Sequence, residues 1–203
     1  NCGANVSFDR LRHISERANY SEAREALFAV TIPEKKGSFL AFCKVLGKRS
    51  ITEFNYRYSS SKEAHIFVGL ALTEGKPERL KIQETFKQNG YETEDLTEND
   101  MAKLHIRHMV GGRLNSNEVE RIYRFEFPER PGALLNFLNR MGQKWNISLF
   151  HYRNHGSAFG RVLCGFQIPQ ALFPTFNEFL KSQGYEYSEE TLNAAYNKFL
   201  HKI

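Results

Sequence analysis

The sequence predicts an α+β protein built from two tandem ferredoxin-like βαββαβ units with antiparallel sheets. Two observations support this prediction. The first is an internal repeat that covers most of the chain. The second is the order of hydrophobic patterns within each copy, which is strand, helix, strand, strand, helix, strand. Right-handed crossovers convert that order into a four-stranded antiparallel sheet with both helices on one face.

The repeat is visible by direct comparison of the two halves. PEKKGSFL at residues 33–40 corresponds to PERPGALL at residues 128–135, and ITEFNYR at 51–57 corresponds to ISLFHYR at 147–153. A solenoid needs three or more repeats, so two copies indicate the duplication of one small domain.

The first strand and the first helix of each copy have clear periodicities. Residues 26–32 and 122–127 are apolar, rich in β-formers and followed by proline, which predicts a strand. The apolar positions that come next follow the i, i+3, i+4, i+7 spacing of one helical face. They are Phe39, Phe42, Cys43 and Leu46 in the first copy, and Leu134, Phe137, Leu138 and Met141 in the second.

The second strand of each copy alternates between two kinds of side chain. We predict it at residues 51–58 and 147–153. Successive residues of a strand point to opposite faces. In the first copy one face carries Ile51, Glu53, Asn55 and Arg57, and the other carries Thr52, Phe54, Tyr56 and Tyr58.

The remaining elements complete each unit. We predict third strands at 65–72 and 159–167, and second helices at 77–89 and 169–183 that end at Gly90 and Gly184. A short strand that follows the glycine, in a segment with tyrosine, then closes each unit. A connecting helix is predicted at 98–110, and the tail at 190–201 is predicted to be helical. Packing of the units side by side, or face to face, would cover the bare sheet faces.

Composition and charge exclude several classes of protein. The net charge is +5, but the basic residues are interleaved with acidic ones and form no block. The sequence contains no apolar run of membrane-spanning length and no signal peptide, so we expect a cytoplasmic protein without a membrane partner. Three scattered cysteines indicate neither disulfides nor a zinc site, and Cys43 and Cys164 are predicted to be buried thiols.

No catalytic motif is present, but the repeated loops suggest a ligand site. In each copy a glycine-bearing loop leads into a helix N-terminus, whose free N–H groups suit a carboxylate. The tripeptides Asn55–Arg57 and His151–Arg153 are predicted to lie beside these loops. Arginine pairs with carboxylates, and tyrosine offers a flat wall with a hydroxyl. Spacing alone leaves the alternative that the tyrosines are packing residues and the arginines are surface charges.

The repeated blocks PEKKGSFLAFCKVLG and FPERPGALLNFLNRMG, with ITEFNYRY and NISLFHYR, resemble the two ACT-like subdomains of biosynthetic threonine ammonia-lyase (threonine deaminase). MVGGR and the opening GANVSFDRLRHISERA resemble the same family. The resemblance implies the end of a catalytic domain and a connector at 1–23, ACT-like subdomains at 24–97 and 121–203, and a connecting helix and linker at 98–120.

The resemblance also implies a function. The family converts threonine to 2-oxobutanoate and ammonia with pyridoxal phosphate, binds isoleucine as inhibitor and valine as antagonist, and forms tetramers. The cofactor lysine and the phosphate loop are missing, so we expect this chain to be no enzyme and to hold no cofactor or metal. Cys2 falls where the family contacts the pyridine nitrogen of the cofactor. The expected effector-binding residues are Gly37, Ser38, Phe39, Asn55, Tyr56, Arg57, Arg107, Gly132, Ala133, Leu134, His151, Tyr152 and Arg153.

Two other functions fit the same fold order. An RNA-recognition module would require a basic and aromatic third strand. AHIFVGLA at 64–71 and AFGRVLC at 158–164 do not match that pattern, so we expect no nucleic-acid partner. A module that assembles subunits, as a tetramer in the parent or a dimer by itself, without binding a small molecule, also remains open.

Overall fold

The computed structural model describes residues 24–58, 62–109, 111–112, 119–128, 130, 132–141, 144–154 and 159–201. Eight strands form one sheet: β1 Glu25–Pro33, β2 Ile51–Arg57, β3 Glu63–Ala71, β4 Glu92–Asp95, β5 Glu120–Pro128, β6 Asn146–Arg153, β7 Phe159–Gln167 and β8 Glu186–Glu189. The helices are α1 Ser38–Leu46, α2 Lys76–Gln88, α3 Asp100–Leu104, α4 Ala133–Met141, α5 Phe173–Ser182 and α6 Ala194–Phe199, with 3-10 turns at Ile106–His108 and Gln170–Leu172.

The two repeats lie side by side in a continuous antiparallel sheet. Its strand order is β4-β1-β3-β2-β6-β7-β5-β8, and β2 pairs with β6 where the repeats meet. Across this junction Phe54 lies opposite Tyr152, and Tyr56 lies opposite Phe150. Because equivalent residues pair reciprocally, a local two-fold relation connects the repeats. The predicted α+β fold with antiparallel strands is confirmed, and of the two packings expected the side-by-side one is found.

A β-bulge changes the facing of two residues that the alternation had assigned. The β2–β3 register shifts between Ile51 and Glu53. Ile51 therefore packs against the main core, while the Thr52 hydroxyl donates to Glu25 on the other face, 2.5 Å away. The predicted facing of Ile51 and Thr52 was wrong, because a bulge places two residues opposite one and breaks the alternation before Glu53.

The main core lies between the sheet and helices α1, α2, α4 and α5. All eight apolar positions predicted for α1 and α4 are buried there. Each such side chain stabilises the fold by about 1.5–3 kcal/mol through removal of apolar surface from water. The Phe39 ring packs 5.1 Å from the rings of Phe54, Tyr56 and Phe150, so the core continues across the junction of the repeats.

The other face of the sheet, here called the outer face, carries two short extensions. We define the first extension as residues 99–109, which contain α3 and a 3-10 turn, and the second as residues 193–201, which contain α6. The predicted helices at 98–110 and 190–201 are therefore shorter than expected. The side chains of Asn99 and Asn193 cap α3 and α6 by accepting from Ala102 N and Ala195 N, which sets where each helix begins.

Two glycines make room for polar pairs on the outer face. A Cβ at Gly69 would lie 2.4 Å from the Thr52 hydroxyl, and one at Gly165 would lie 2.9 Å from Glu120 Oε1. The equivalent hydroxyl of the second repeat, that of Ser148, donates to Glu120. No helix in the described part of the chain is long and apolar enough to cross a membrane.

Candidate ligand site at the seam between the repeats

The helix face of the β2–β6 junction, called the seam here, holds two cavities related by the local two-fold. Each lies beside the loop that leads into α1 or α4 and is closed by the loop that precedes β2 or β6 of the other repeat. The second seam cavity, of about 210 Å³, is lined by Gly47, Arg49, Ser50, Ile51, Arg130, Gly132, Leu134, Leu135, Tyr152 and Asn154. The first, of about 10 Å³, is lined by Ile32, Pro33, Glu34, Lys35, Gly37, Phe39, Leu40, Tyr56, Trp145, Asn146 and Ile147.

The second seam cavity has the chemistry of an anion site with an apolar wall. Arg49 and Arg130 line it, and its described lining residues include no carboxylate. The Arg49 guanidinium donates to the carbonyl oxygens of Val45 and Leu46 at 3.3 and 2.8 Å, which fixes it at the end of α1. Gly132 adopts a φ of 81°, which favours glycine, just before α4 begins. A carboxylate at the α4 N-terminus would meet two guanidinium groups.

The first seam cavity is filled by larger side chains. Phe39 occupies the position that Leu134 has in the second repeat. Trp145 lies two residues before Ile147, just as Arg49 lies two residues before Ile51. The two replacements add aromatic volume and remove a positive charge. The second cavity is therefore open and basic, whereas the first is nearly closed by aromatic side chains.

An acidic group also closes the first cavity. The Tyr56 hydroxyl donates to both carboxylate oxygens of Glu34, at 2.9 and 2.8 Å. Burial raises the pKa of the Glu34 carboxyl above its ordinary value of 4.5, and the hydrogen bond from Tyr56 acts in the opposite direction. Burial, and then the negative charge of Glu34, raise the pKa of the Tyr56 phenol. The phenol therefore stays protonated and keeps its role as donor.

The structure brings one part of the predicted site together at the seam. Gly37, Phe39 and Tyr56 line the first cavity, and Gly132, Leu134 and Tyr152 line the second. Ser38 and Ala133 are the first residues of α1 and α4, next to these cavities.

The other predicted residues lie on the outer face, away from the tyrosines. They are Asn55, Arg57, Arg107, His151 and Arg153. The reason is the alternation of a strand, which directs the neighbours of Tyr56 and Tyr152 to the opposite face. Arg107 belongs to the first extension and pairs there with Glu53 at 2.9 Å and with Glu25 at 3.1 Å. Cys2, predicted to contact the cofactor of the parent enzyme, lies outside the described residues.

Several residues that line the seam cavities were not predicted from the sequence, and the charged or bulky ones Glu34, Arg49, Arg130 and Trp145 matter most for their chemistry. Glu34 and Arg130 belong to the repeated loops PEKKG and PERPG, so comparison of the two repeats could have identified them as site residues. Arg49 and Trp145 reach each cavity from the other repeat, which requires knowledge of how the repeats pack. Among the residues that the structure describes, no group of three His, Cys, Asp or Glu could hold a metal ion.

The comparisons with known proteins agree with one another. A family match covers residues 16–106 and 111–200, and that family is described as the C-terminal regulatory domain of threonine dehydratase. The chain is 54% identical over 198 residues to the L-threonine dehydratase biosynthetic IlvA of Escherichia coli, and 52% identical over 198 residues to that of Burkholderia multivorans. It is 43% identical over 206 residues to the mitochondrial threonine dehydratase of Saccharomyces cerevisiae.

These matches cover 98% of this chain but 38%, 39% and 36% of the respective relatives. The chain thus spans well under half the length of the curated relatives that it matches. The family match falls twice on the chain, once on each repeat, as the duplicated fold requires. The chain belongs to the family of C-terminal regulatory domains of threonine dehydratase.

Proposed function

We propose that this chain senses branched-chain amino acids for a biosynthetic threonine dehydratase, with isoleucine as inhibitor and valine as activator. In this proposal the parent enzyme converts threonine to 2-oxobutanoate and ammonia, the first step of isoleucine biosynthesis, and forms a homotetramer. Pyridoxal phosphate would supply the chemistry in the catalytic part of the parent. This chain would carry out no catalysis itself and would act on the activity of its own catalytic domain.

The observation that supports this function is the open and basic second seam cavity. An amino acid presents one carboxylate, one ammonium group and a side chain. Arg49, Arg130 and the N-terminus of α4 suit the carboxylate. Ile51, Leu134 and Leu135 offer apolar contact for an aliphatic side chain, and Tyr152 adds an aromatic surface to the same cavity.

The same lining explains why isoleucine and valine would be preferred over threonine. A hydroxyl held against Ile51 and the two leucines, away from Ser50 and Asn154 of the same lining, would lose its bonds to water without gaining a partner. Such a loss costs about 1–3 kcal/mol. An effector must discriminate against threonine in this way, because the substrate of the parent enzyme would otherwise occupy the regulatory site.

The closed first cavity suggests how binding would change the conformation. A ligand beside Tyr56 must displace Phe39 and separate Glu34 from the Tyr56 hydroxyl. It would bind one conformation much better than the other, and that difference in affinity is what shifts a two-state equilibrium. Two effectors that favour different states of this cavity would have opposite effects on the parent enzyme.

Isothermal titration of tyrosine variants tests the site. We expect Tyr152→Ala to weaken isoleucine binding at least about tenfold, because one aromatic wall of a ligand site contributes more than about 1.4 kcal/mol. Tyr187→Ala is the matched control, because Tyr187 lies on the edge strand β8, away from the seam. Unchanged affinity in both Tyr56→Ala and Tyr152→Ala would refute the assignment of the site to the seam.

A second function, subunit assembly without a small ligand, is favoured by one observation. Large apolar side chains are exposed on the extensions: Met101, Leu104 and Met109 on the first and Phe199 on the second. Exposed apolar groups of this size occur at protein interfaces. Sedimentation velocity on the wild-type chain and on Leu104→Ser/Phe199→Ser distinguishes the two. A pure assembly module would lose its association in the variant and would bind neither amino acid in either form.

A further inference from the structure

One arginine of the first repeat holds the second extension. The Arg57 guanidinium pairs with Glu120 of β5 at 2.5 and 3.1 Å and donates to the Leu200 carbonyl oxygen at 2.8 Å. Its Nε also donates to the carbonyl oxygen of Gly112 at 2.9 Å. The side chains of Arg57 and Glu120 are 6% and 2% exposed. Arg57 therefore joins the first repeat to the second repeat, the connecting segment and the second extension in one buried cluster.

The backbone of the connecting segment lies close to the Arg57 side chain. Gly111 adopts a φ of 89°, a conformation that side chains other than glycine rarely adopt. A Cβ at Gly111 would lie 2.7 Å from the Cβ of Arg57. Tyr196 of α6 adds a further link, because its hydroxyl donates to Glu120 Oε2 at 2.8 Å. The second extension therefore contacts the Arg57–Glu120 ion pair through two residues, Tyr196 and Leu200.

The equivalent arginine of the second repeat makes the reciprocal contact. Arg153 corresponds to Arg57, and its Nη1 lies 3.0 Å from Nδ1 of His108 in the first extension. In each repeat, the arginine of the second strand therefore crosses the junction and contacts the extension of the other repeat. The contact between Arg153 and His108 is exposed, whereas the contact between Arg57 and Glu120 is buried.

Each of these arginines directly follows a tyrosine of the seam. Tyr56 and Arg57 are neighbours on β2, and Tyr152 and Arg153 are neighbours on β6, with side chains on opposite faces of the sheet. A strand that shifts or twists at the seam moves both neighbours together.

We propose that Arg57 and Arg153 are positioning residues that transmit a change at each seam tyrosine to the extension of the opposite repeat. The inference rests on the proposed function for its purpose, but the coupling itself is a property of the chain without ligand. Through the buried cluster of Arg57, a change beside Tyr56 loosens or tightens residues 193–201. Through His108, a change beside Tyr152 acts on residues 99–109. The conformation of the extensions, which carry exposed apolar side chains, then depends on the state of the seam.

Hydrogen exchange with mass spectrometry on the whole chain tests the coupling. Tyr56→Ala disturbs the seam without any ligand, and we expect it to raise the exchange rate of residues 194–201 about threefold or more. We expect Arg57→Met to raise that rate at least about tenfold, since buried charged hydrogen bonds are lost. In the double variant the effect of Tyr56→Ala on this segment should disappear. Peptides from β3 serve as the internal control for global unfolding.

Further variants keep the test decisive. Arg57→Lys retains the charge but loses the fork that binds Glu120 and Leu200 together, and it replaces Arg57→Met if that variant does not fold. Arg161→Met is the matched control, because the Arg161 side chain is 70% exposed. Effects of Tyr56→Ala and Arg57→Met that simply add in residues 194–201 would overturn the coupling. Failure of isoleucine to bind the wild type would instead count against the proposed function alone.

Discussion

Phe39 and Leu134 occupy the same position in the two repeats, but they leave very different spaces beside them. The Phe39 ring packs 5.1 Å from three aromatic rings next to a cavity of about 10 Å³, whereas Leu134 borders one of about 210 Å³. This pair of residues, together with Trp145 and Arg49, distinguishes the two halves of the duplicated seam.

Exchanging the two side chains is therefore informative. We expect Leu134→Phe to fill the second seam cavity and lower isoleucine affinity at least about tenfold, while the free energy of unfolding changes by less than about 1.5 kcal/mol. Isothermal titration and urea denaturation measure the two quantities. Leu138→Met, a substitution of similar size in the core of α4, is the control and should leave affinity unchanged. Full isoleucine affinity in Leu134→Phe would place the ligand elsewhere.

Protonation of Glu34 makes the stability of the folded protein depend on pH. Its pKa is raised in the folded state, so the folded protein binds this proton more tightly than the unfolded chain. The contribution of Glu34 to stability is therefore largest below its unfolded pKa of about 4.5 and is lost as the pH rises through the folded pKa. Glu34→Gln keeps an oxygen that accepts from Tyr56 but does not titrate.

Urea denaturation of wild type and Glu34→Gln between pH 4 and pH 7 measures this effect. The unfolding free energy of the wild type, minus that of the variant, should fall as the pH rises. All other groups titrate alike in both proteins, so they cancel in the difference. A difference that rises with pH would mean that the Tyr56 hydrogen bond, rather than burial, dominates the pKa of Glu34.

Glu120 is the acceptor at the centre of the buried cluster on the outer face. It accepts from Arg57, Tyr196 and Ser148. Glu120→Gln leaves a buried guanidinium without its counter-charge, which costs about 3–5 kcal/mol of unfolding free energy. Glu126→Gln on the same strand is the control, since its ion pair with Arg161 is exposed and contributes less than about 1 kcal/mol. Equal losses in the two variants, by urea denaturation, would contradict the account of the cluster.

Gly165 is required because its neighbours leave no space for a side chain. A Cβ there would lie 2.9 Å from both Glu120 Oε1 and Leu149 Cβ. We expect Gly165→Ala to cost about 1–3 kcal/mol through overpacking, measured by thermal or urea unfolding. Gly112→Ala should be close to neutral, because a Cβ at Gly112 meets nothing within 4 Å. A neutral Gly165→Ala would show that the sheet relaxes around the cluster.

Much of the fold follows from local patterns. The spacing of Phe39, Phe42, Cys43 and Leu46 defines one buried face of α1, and the repeat extends the same argument to α4. The bulge before Glu53 does not follow from alternation, and it places Thr52 on the face where its hydroxyl donates to Glu25. Side-by-side packing depends on the pairing of β2 with β6. These are edge strands of different repeats, and they pair only in the folded chain.

The site could be predicted in part for the same reason. Tyr56 and Tyr152 lie at the seam with the loop glycines because each repeat by itself places its tyrosine beside its own glycine. Arg49 and Trp145 come from the opposite repeat, so their role depends on packing that no local pattern encodes. Arg57 and Arg153 were expected beside the ligand, yet strand alternation already directs them to the face opposite Tyr56 and Tyr152.

Calorimetric titration of the wild-type chain tests most directly whether the seam binds a branched-chain amino acid. Isoleucine and valine are the ligands, with threonine and leucine as controls. We expect saturable binding of isoleucine or valine, at least one site per chain, and much weaker binding of threonine. No heat of binding for any of the four, at concentrations up to about 10 mM where even weak sites fill, would contradict it.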